Sequence, residues 1–126
     1  MKRKLVVLLC AINLVATAAH AGAGHDHGPR HGGVVREVGT LSYELVARPD
    51  TLTLFVSDHG KPVPTAGGKA QVTLYGGNNK TVVALEPAGE NRMVAKGAFK
   101  VGVGVRAALT VQVPGRSEAK TTFNLR

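Results

Sequence analysis

Four of the five histidines lie in two short polar segments, and imidazole is a common metal ligand. His25, His27 and His31 fall within seven residues of one another, and Asp26 lies between the first two. In an extended segment the side chains at positions i and i+2 point the same way, so His25 and His27 can share one ion. His31 follows Gly28-Pro29, and a turn there would let it fold back towards the pair. The spacing predicts a metal-binding cluster.

Imidazole nitrogen suits Cu(II), Zn(II) and Ni(II), and the carboxylate of Asp26 can add an oxygen ligand. The imidazole must be neutral to bind, so we expect affinity to fall below about pH 6. His59 has two interpretations: it is a fourth ligand from a nearby loop, or it belongs to a turn in Asp58–Pro62. The pattern favours the turn, with Asp58 as a side-chain acceptor and Gly60 at positive φ.

The N-terminus has the pattern of a secretory signal peptide. A basic segment, residues 2–4, precedes an apolar stretch over 5–19, and Ala19-His20-Ala21 matches a small-x-small cleavage site. The pattern predicts a signal peptide over 1–21, whose hydrophobic part is a helix, and a mature start at Gly22. The competing interpretation is an uncleaved anchor. Cleavage would remove the only cysteine, Cys10, whose position inside the apolar stretch is too early for a lipidated cysteine.

Composition limits the remaining functions. The formal charge of +8 falls to +5 without the signal peptide, because three of sixteen basic residues leave and all eight acidic residues stay. The remaining basic residues are spread along the chain with few aromatic residues between them, which is unlike a nucleic-acid-binding surface. We expect a periplasmic protein without nucleic-acid partners and without stable membrane insertion after cleavage. Weak attraction to anionic lipid or to an acidic partner stays open.

The elements that must position the histidines are strands. Residues 22–33 are rich in Gly and His and cannot build a core, so they are expected to form a flexible arm. From residue 34 to 126, seven or so short alternating segments are separated by Gly, Pro, Asn and Asp turns. This spacing predicts an all-β domain, namely an immunoglobulin-like antiparallel sandwich, with a small antiparallel barrel as the alternative. Met93 is expected in the core.

Three short motifs carry a resemblance to known proteins. His31–Val35, Tyr43–Val46 and Asp58–Val63 resemble an HGG segment, an E-L strand and a D-x-G-K-P-V turn. These occur in small periplasmic proteins of heavy-metal efflux loci and in the N-terminal β-domain of periplasmic adaptors of metal-exporting resistance–nodulation–division pumps. The similarity covers about residues 24–87. It implies an immunoglobulin-like fold and a role in copper or zinc handling, but the coiled-coil hairpin and the lipoyl and barrel domains of an adaptor are missing.

The sequence therefore predicts a periplasmic accessory module that binds Cu or Zn through His25, Asp26, His27, His31 and His59. Its expected partner is a metal-efflux adaptor or another periplasmic protein. The alternative is a non-catalytic interaction module in which the histidines are incidental. An enzyme is not expected, because the serines lack a G-x-S-x-G context and the carboxylates are spread singly.

Overall fold

A computed structural model of the chain describes residues 28–126, and these residues form β-strands and no helix. The predicted signal peptide and the first part of the predicted arm, residues 22–27, lie outside the described residues. The strands are β1 (Val34–Val38), β2 (Leu41–Arg48), β3 (Thr51–Asp58), β4 (Lys61–Pro62), β5 (Lys69–Gly76), β6 (Asn79–Pro87), β7 (Arg92–Lys96), β8 (Arg106–Gln112) and β9 (Ala119–Asn124). No helix in this part of the chain is long and apolar enough to cross a membrane.

All strand pairs are antiparallel, and the sheet curls into a nearly closed barrel. The strand order is β1-β2-β3-β7-β6-β5-β8-β9, and the two-residue strand β4 pairs with the end of β3. The first and last strands of this order, β1 and β9, lie side by side without forming a hydrogen-bonded pair. A seam between β1 and β9 therefore interrupts the barrel.

Tight turns set the register of the hairpins. Arg48 pairs with Thr51 across the β2–β3 turn, and Gly76 pairs with Asn79 across the β5–β6 turn. Gly77, the first central residue of the second turn, has a φ of 60°. A backbone with this φ favours glycine, which explains the Gly-Gly-Asn-Asn sequence at this hairpin.

The core follows from the alternation of apolar residues along the strands. Tyr43, Met93 and Phe123 are among its largest fully buried side chains. They pack in one cluster with leucines and valines from both halves of the sheet. The expected core position of Met93 is confirmed.

The all-β, antiparallel part of the fold prediction is confirmed, and the sheet has nine strands where about seven were expected. β4 was missed because Lys61-Pro62 lies in a stretch rich in Pro and Gly that reads as a loop. The nearly closed sheet resembles the barrel alternative, and the immunoglobulin-like topology stays a prediction.

Candidate functional site

The carboxylate of Glu44 holds the chain that precedes β1. Glu44 lies on the outer face of β2, between the core residues Tyr43 and Leu45, yet its side chain is only 7% exposed. The backbone N–H of Arg30 donates to Oε1 at 3.0 Å, and those of His31 and Gly33 donate to Oε2 at 2.8 and 2.9 Å. The His31 ring adds a fourth contact, Nδ1 to Oε1 at 3.0 Å. We call this arrangement the Glu44 latch.

Two glycines let the backbone wrap around this carboxylate. Gly32 has a φ of 82°, in the left-handed region that favours glycine. At Gly33 the reason is a close approach, because a Cβ there would overlap the backbone carbonyl oxygen of Leu45 and lie 2.9 Å from Cγ2 of Val46. The two glycines therefore allow the chain before β1 to adopt the latch conformation.

The latch fixes the orientation of the His31 ring. The ring stacks on Phe55 with centroids 3.6 Å apart and planes 4° from parallel. Phe55 is the β3 residue directly opposite Glu44, so one pair of neighbouring strands supplies both contacts. The side chain of His31 is still 43% exposed. The ring is held against the sheet but remains accessible to solvent.

The charge state of Glu44 determines which nitrogen of His31 is protonated. Burial raises the pKa of Glu44, but the backbone N–H groups of Arg30, Gly33 and His31 and the His31 ring outweigh burial and hold this pKa below its usual value. An ionised carboxylate accepts hydrogen bonds and donates none, so Nδ1 of His31 must carry the hydrogen. In the neutral imidazole the lone pair is then on Nε2, which makes no hydrogen bond within residues 28–126.

A cavity of about 250 Å³ lies beside the latch on the outer face of β2 and β3. Its lining combines the latch with hydroxyl, amide and apolar groups, contributed mainly by Arg30, His31, Glu44, Phe55, Ser57 and Asn91. The guanidinium of Arg30 crosses to the β3–β4 turn, where Nη1 donates to the carbonyl of Gly60 at 3.3 Å. The segment before β1 is thus brought next to the turn that contains His59.

His59 is also paired with a carboxylate through Nδ1. It is the first central residue of the β3–β4 turn, with a φ of 52°, and Gly60 follows with a φ of 84°. Its Nδ1 lies 2.7 Å from Oδ1 of Asp58, whose Oδ2 accepts a hydrogen bond from Arg116 at 2.9 Å. Arg116 and the His59 ring hold the pKa of Asp58 below its ordinary value. The turn expected around His59 is confirmed.

The structure describes two of the five predicted ligands, and His25, Asp26 and His27 lie outside the described residues. Within residues 28–126, no three His, Cys, Asp or Glu side chains come together as a metal site. His31 and His59 belong to neighbouring elements, linked by the hydrogen bond from Arg30 to Gly60. Any site that uses them must take further ligands from outside this part of the chain.

Sequence reasoning missed Glu44 and Phe55 as the residues that position His31. The available signal was a charged residue within the alternating segment at residues 41–47, but a polar residue at such a position normally faces solvent, so its burial could not be predicted. A buried carboxylate requires hydrogen-bond donors, and the glycine-rich segment before β1 supplies backbone N–H groups.

No protein-family model, curated protein or solved structure matches the chain. The resemblance to metal-efflux proteins therefore depends on its three short motifs alone.

Proposed function

We propose that this protein binds a divalent transition metal, Cu or Zn, through a histidine cluster whose ligand on the folded domain is His31. One observation carries the proposal: an ionised, buried carboxylate orients the His31 ring through Nδ1 and leaves Nε2 as the nitrogen with the lone pair. Metal-binding histidines commonly have this arrangement, because a carboxylate on the second nitrogen fixes the tautomer and raises the basicity of the ligand.

The other proposed ligands are close to His31 along the chain or belong to the neighbouring β3–β4 turn. His27 is bonded to Gly28, which lines the cavity, and His25 is two residues further on. Since consecutive Cα atoms are about 3.8 Å apart, His25 and Asp26 lie within roughly 11 Å of Gly28. His59 presents a second imidazole with a carboxylate on Nδ1. Together these residues offer the nitrogen and oxygen donors that Cu(II) and Zn(II) accept.

The cellular role follows from the N-terminal pattern and the resemblance. The protein is exported to the periplasm, has no catalytic activity, and buffers metal or passes it to an efflux adaptor. The immunoglobulin-like description of the fold belongs to this proposal as well.

A second candidate is a protein-interaction module with incidental histidines. The contacts of His31 favour this candidate. Its backbone N–H and its ring both bind Glu44, so His31 has a structural role even without metal. Under this interpretation the His-Gly-Gly segment serves only to fasten the chain to β2.

Calorimetric titration of the full chain with CuCl₂ and ZnCl₂ separates the two candidates. The metal hypothesis expects one tight site, with affinity reduced at least 10-fold in His31→Ala and in the double variant His25→Ala/His27→Ala. Glu44→Gln is expected to weaken binding by about 10- to 100-fold, the usual effect of removing an orienting partner. For Cu(II), the electron paramagnetic resonance spectrum should lose nitrogen couplings in the histidine variants.

Ser57→Ala is the matched control, because Ser57 lines the same cavity and is not a proposed ligand. Its affinity should equal that of the wild type. Weak binding of the same strength in all variants would reject the metal hypothesis and leave the interaction module.

A further inference from the structure

One end of the barrel gathers cationic side chains that are far apart in the sequence. This end includes two turns and a link, namely the β2–β3 turn at 48–51, the β5–β6 turn at 76–80 and the β7–β8 link at 96–106, and residues 124–126 lie beside the link. Backbone N–H groups of Gly97 and Phe99 donate to the carbonyls of Asp50 and Pro49, at 3.1 and 2.7 Å. The side chain of Lys100 reaches towards Gly76. The three segments therefore lie next to one another, and we call them the basic end.

The basic end is strongly unbalanced in charge. All of its cationic side chains are exposed, namely Arg48, Lys80, Lys96, Lys100 and Arg106. None of them forms an ion pair with a residue of the 28–126 part. Asp50 is the one acidic residue in these three segments, while Glu37, Glu44, Asp58, Glu86, Glu90 and Glu118 lie elsewhere in the described chain.

One exposed large hydrophobic residue, Val103, lies in the basic end, and another, Val82, lies two residues beyond it along β6. Val103 is 89% exposed, between Gly102 and Gly104, which both have positive φ. Val82 is 56% exposed and lies on the same face of β6 as Lys80, two residues away. These two are the only exposed large hydrophobic residues among the described ones. Isolated apolar side chains among cations match the boundary between lipid headgroups and acyl chains.

An aromatic ring completes the pattern. Tyr75 pairs with Lys80 on one side and with Arg106 on the other, so these three side chains form a row across β6, β5 and β8. The guanidinium carbon of Arg106 lies 5.0 Å from the centre of the Tyr75 ring. Tyrosine with flanking cations is frequent at membrane interfaces, where the ring and its hydroxyl meet environments of different polarity.

We infer that the basic end docks onto an anionic phospholipid surface. The cations would face the phosphates, and Val103, at the tip of the β7–β8 link, would enter the headgroup layer. A lipid surface fits better than an acidic protein, because the apolar groups here are two isolated valines on separate elements. A protein interface of stable size has a continuous apolar centre. This inference does not depend on metal binding.

Co-sedimentation of the full chain with vesicles at low salt tests whether the basic end binds anionic lipid. One set of vesicles contains phosphatidylcholine alone, and the other contains phosphatidylcholine mixed with phosphatidylglycerol. Neutralising the basic end with Lys96→Gln, Lys100→Gln and Arg106→Gln should weaken binding to the anionic vesicles on the order of 100-fold, the loss expected for three cations. The matched control carries Lys61→Gln, Lys69→Gln and Lys120→Gln, all exposed and outside the basic end. It has the same net charge and should retain most of the affinity.

Val103→Ser tests the apolar contribution, with Ala66→Ser at an exposed loop position as its control. Val103→Ser should weaken binding several-fold and Ala66→Ser should not. The basic residues 2–4 and the apolar stretch at 5–19 are present in every variant, so differences between variants do not depend on them. Equal losses in the two triple variants would overturn the inference. It would also be overturned if soluble poly-glutamate bound the wild type as tightly as the vesicles did and Val103→Ser had no effect.

Discussion

Two histidines of this protein are each paired with a carboxylate through Nδ1, but the two pairs have different surroundings. His31 contacts Glu44, thirteen residues away, and that carboxylate is buried and accepts three backbone N–H groups as well. His59 contacts the adjacent Asp58, and both side chains are much more exposed, at 60% and 26%. The His31–Glu44 pair joins two segments that are thirteen residues apart, whereas the His59–Asp58 pair lies within a single turn.

The difference shows that a carboxylate–imidazole contact does not define a role by itself. At Glu44 the removal of the charge would leave several donors without an acceptor in a partly buried place. At Asp58 water can replace either partner. The predictions below test this contrast, from the largest expected effect to the smallest.

Glu44→Gln should destabilise the protein more than any other substitution considered. Each carboxylate oxygen accepts two N–H groups, so an amide NH₂ in place of either oxygen leaves two donors facing a donor. We expect a loss of about 1–3 kcal/mol in the free energy of unfolding, measured by urea denaturation. Asp58→Asn is the matched comparison and should change stability little. If the two substitutions lowered the free energy of unfolding by similar amounts, the two carboxylates would not differ in their contribution to stability.

Gly33→Ala should cause the next largest loss of stability. A Cβ at Gly33 overlaps the carbonyl oxygen of Leu45, so the backbone must shift at a cost of about 2 kcal/mol. Gly32→Ala meets no neighbouring atom and costs only the left-handed φ, about 1 kcal/mol. Thermal denaturation of both variants checks the order. If Gly32→Ala proved the more harmful, the close approach to β2 would not be the controlling feature.

The pH dependence of the free energy of unfolding should show the contribution of ionised Glu44. Its pKa is lower in the folded state than the ordinary value of 4.5, so its stabilising contribution is complete above that value. The contribution is lost as the pH falls through the lower, folded-state pKa. As the pH falls below 4.5, the wild type should therefore lose more stability than Glu44→Gln. If the melting temperatures of the two proteins changed in parallel with pH, Glu44 would not be the source of this pH dependence.

Of these substitutions, His59→Asn should have the smallest effect on stability. Asn is favoured over His at the first central position of a turn with two positive φ values, so His59→Asn should change stability by less than about 0.5 kcal/mol, in the stabilising direction. His59→Val should be destabilising, because a β-branched residue tolerates a positive φ poorly. Hydrogen exchange of the Arg30, His31 and Gly33 amides should be unchanged in both variants, which separates the turn from the latch.

Much of the fold could be predicted because its signals are local. Alternation of apolar residues marks β2, β3 and β8, and Gly77 and Gly60 mark turns within a few residues of the strands they connect. The sequence could not decide between the sandwich and the barrel alternative, because closure of the sheet depends on pairs such as β3 with β7, which are distant in sequence. The two-residue strand β4 has no periodicity to detect.

The candidate site was predictable only in part, for the same reason. His31 could be named from its spacing with His25 and His27, whereas Glu44 lies in a strand where a single polar residue normally faces solvent. Its burial becomes visible only when the chain before β1 folds back onto the sheet. The basic end is similar, since Arg48, Lys80 and Lys100 are scattered in the sequence and are brought together by the antiparallel topology.

The seam between β1 and β9 has a consequence for the kinetics of folding. The neighbouring strands β2 and β3, β5 and β6, and β8 and β9 pair through short connections and can form early. Bringing β1 beside β9 closes a loop that spans nearly all of the described chain, which carries the largest entropic cost of any contact in the sheet. Since contacts between distant residues slow folding, closure of the barrel at this seam should be a late event. The Glu44 latch joins β2 to the segment just before β1. It can therefore form before the barrel closes, and independently of that closure.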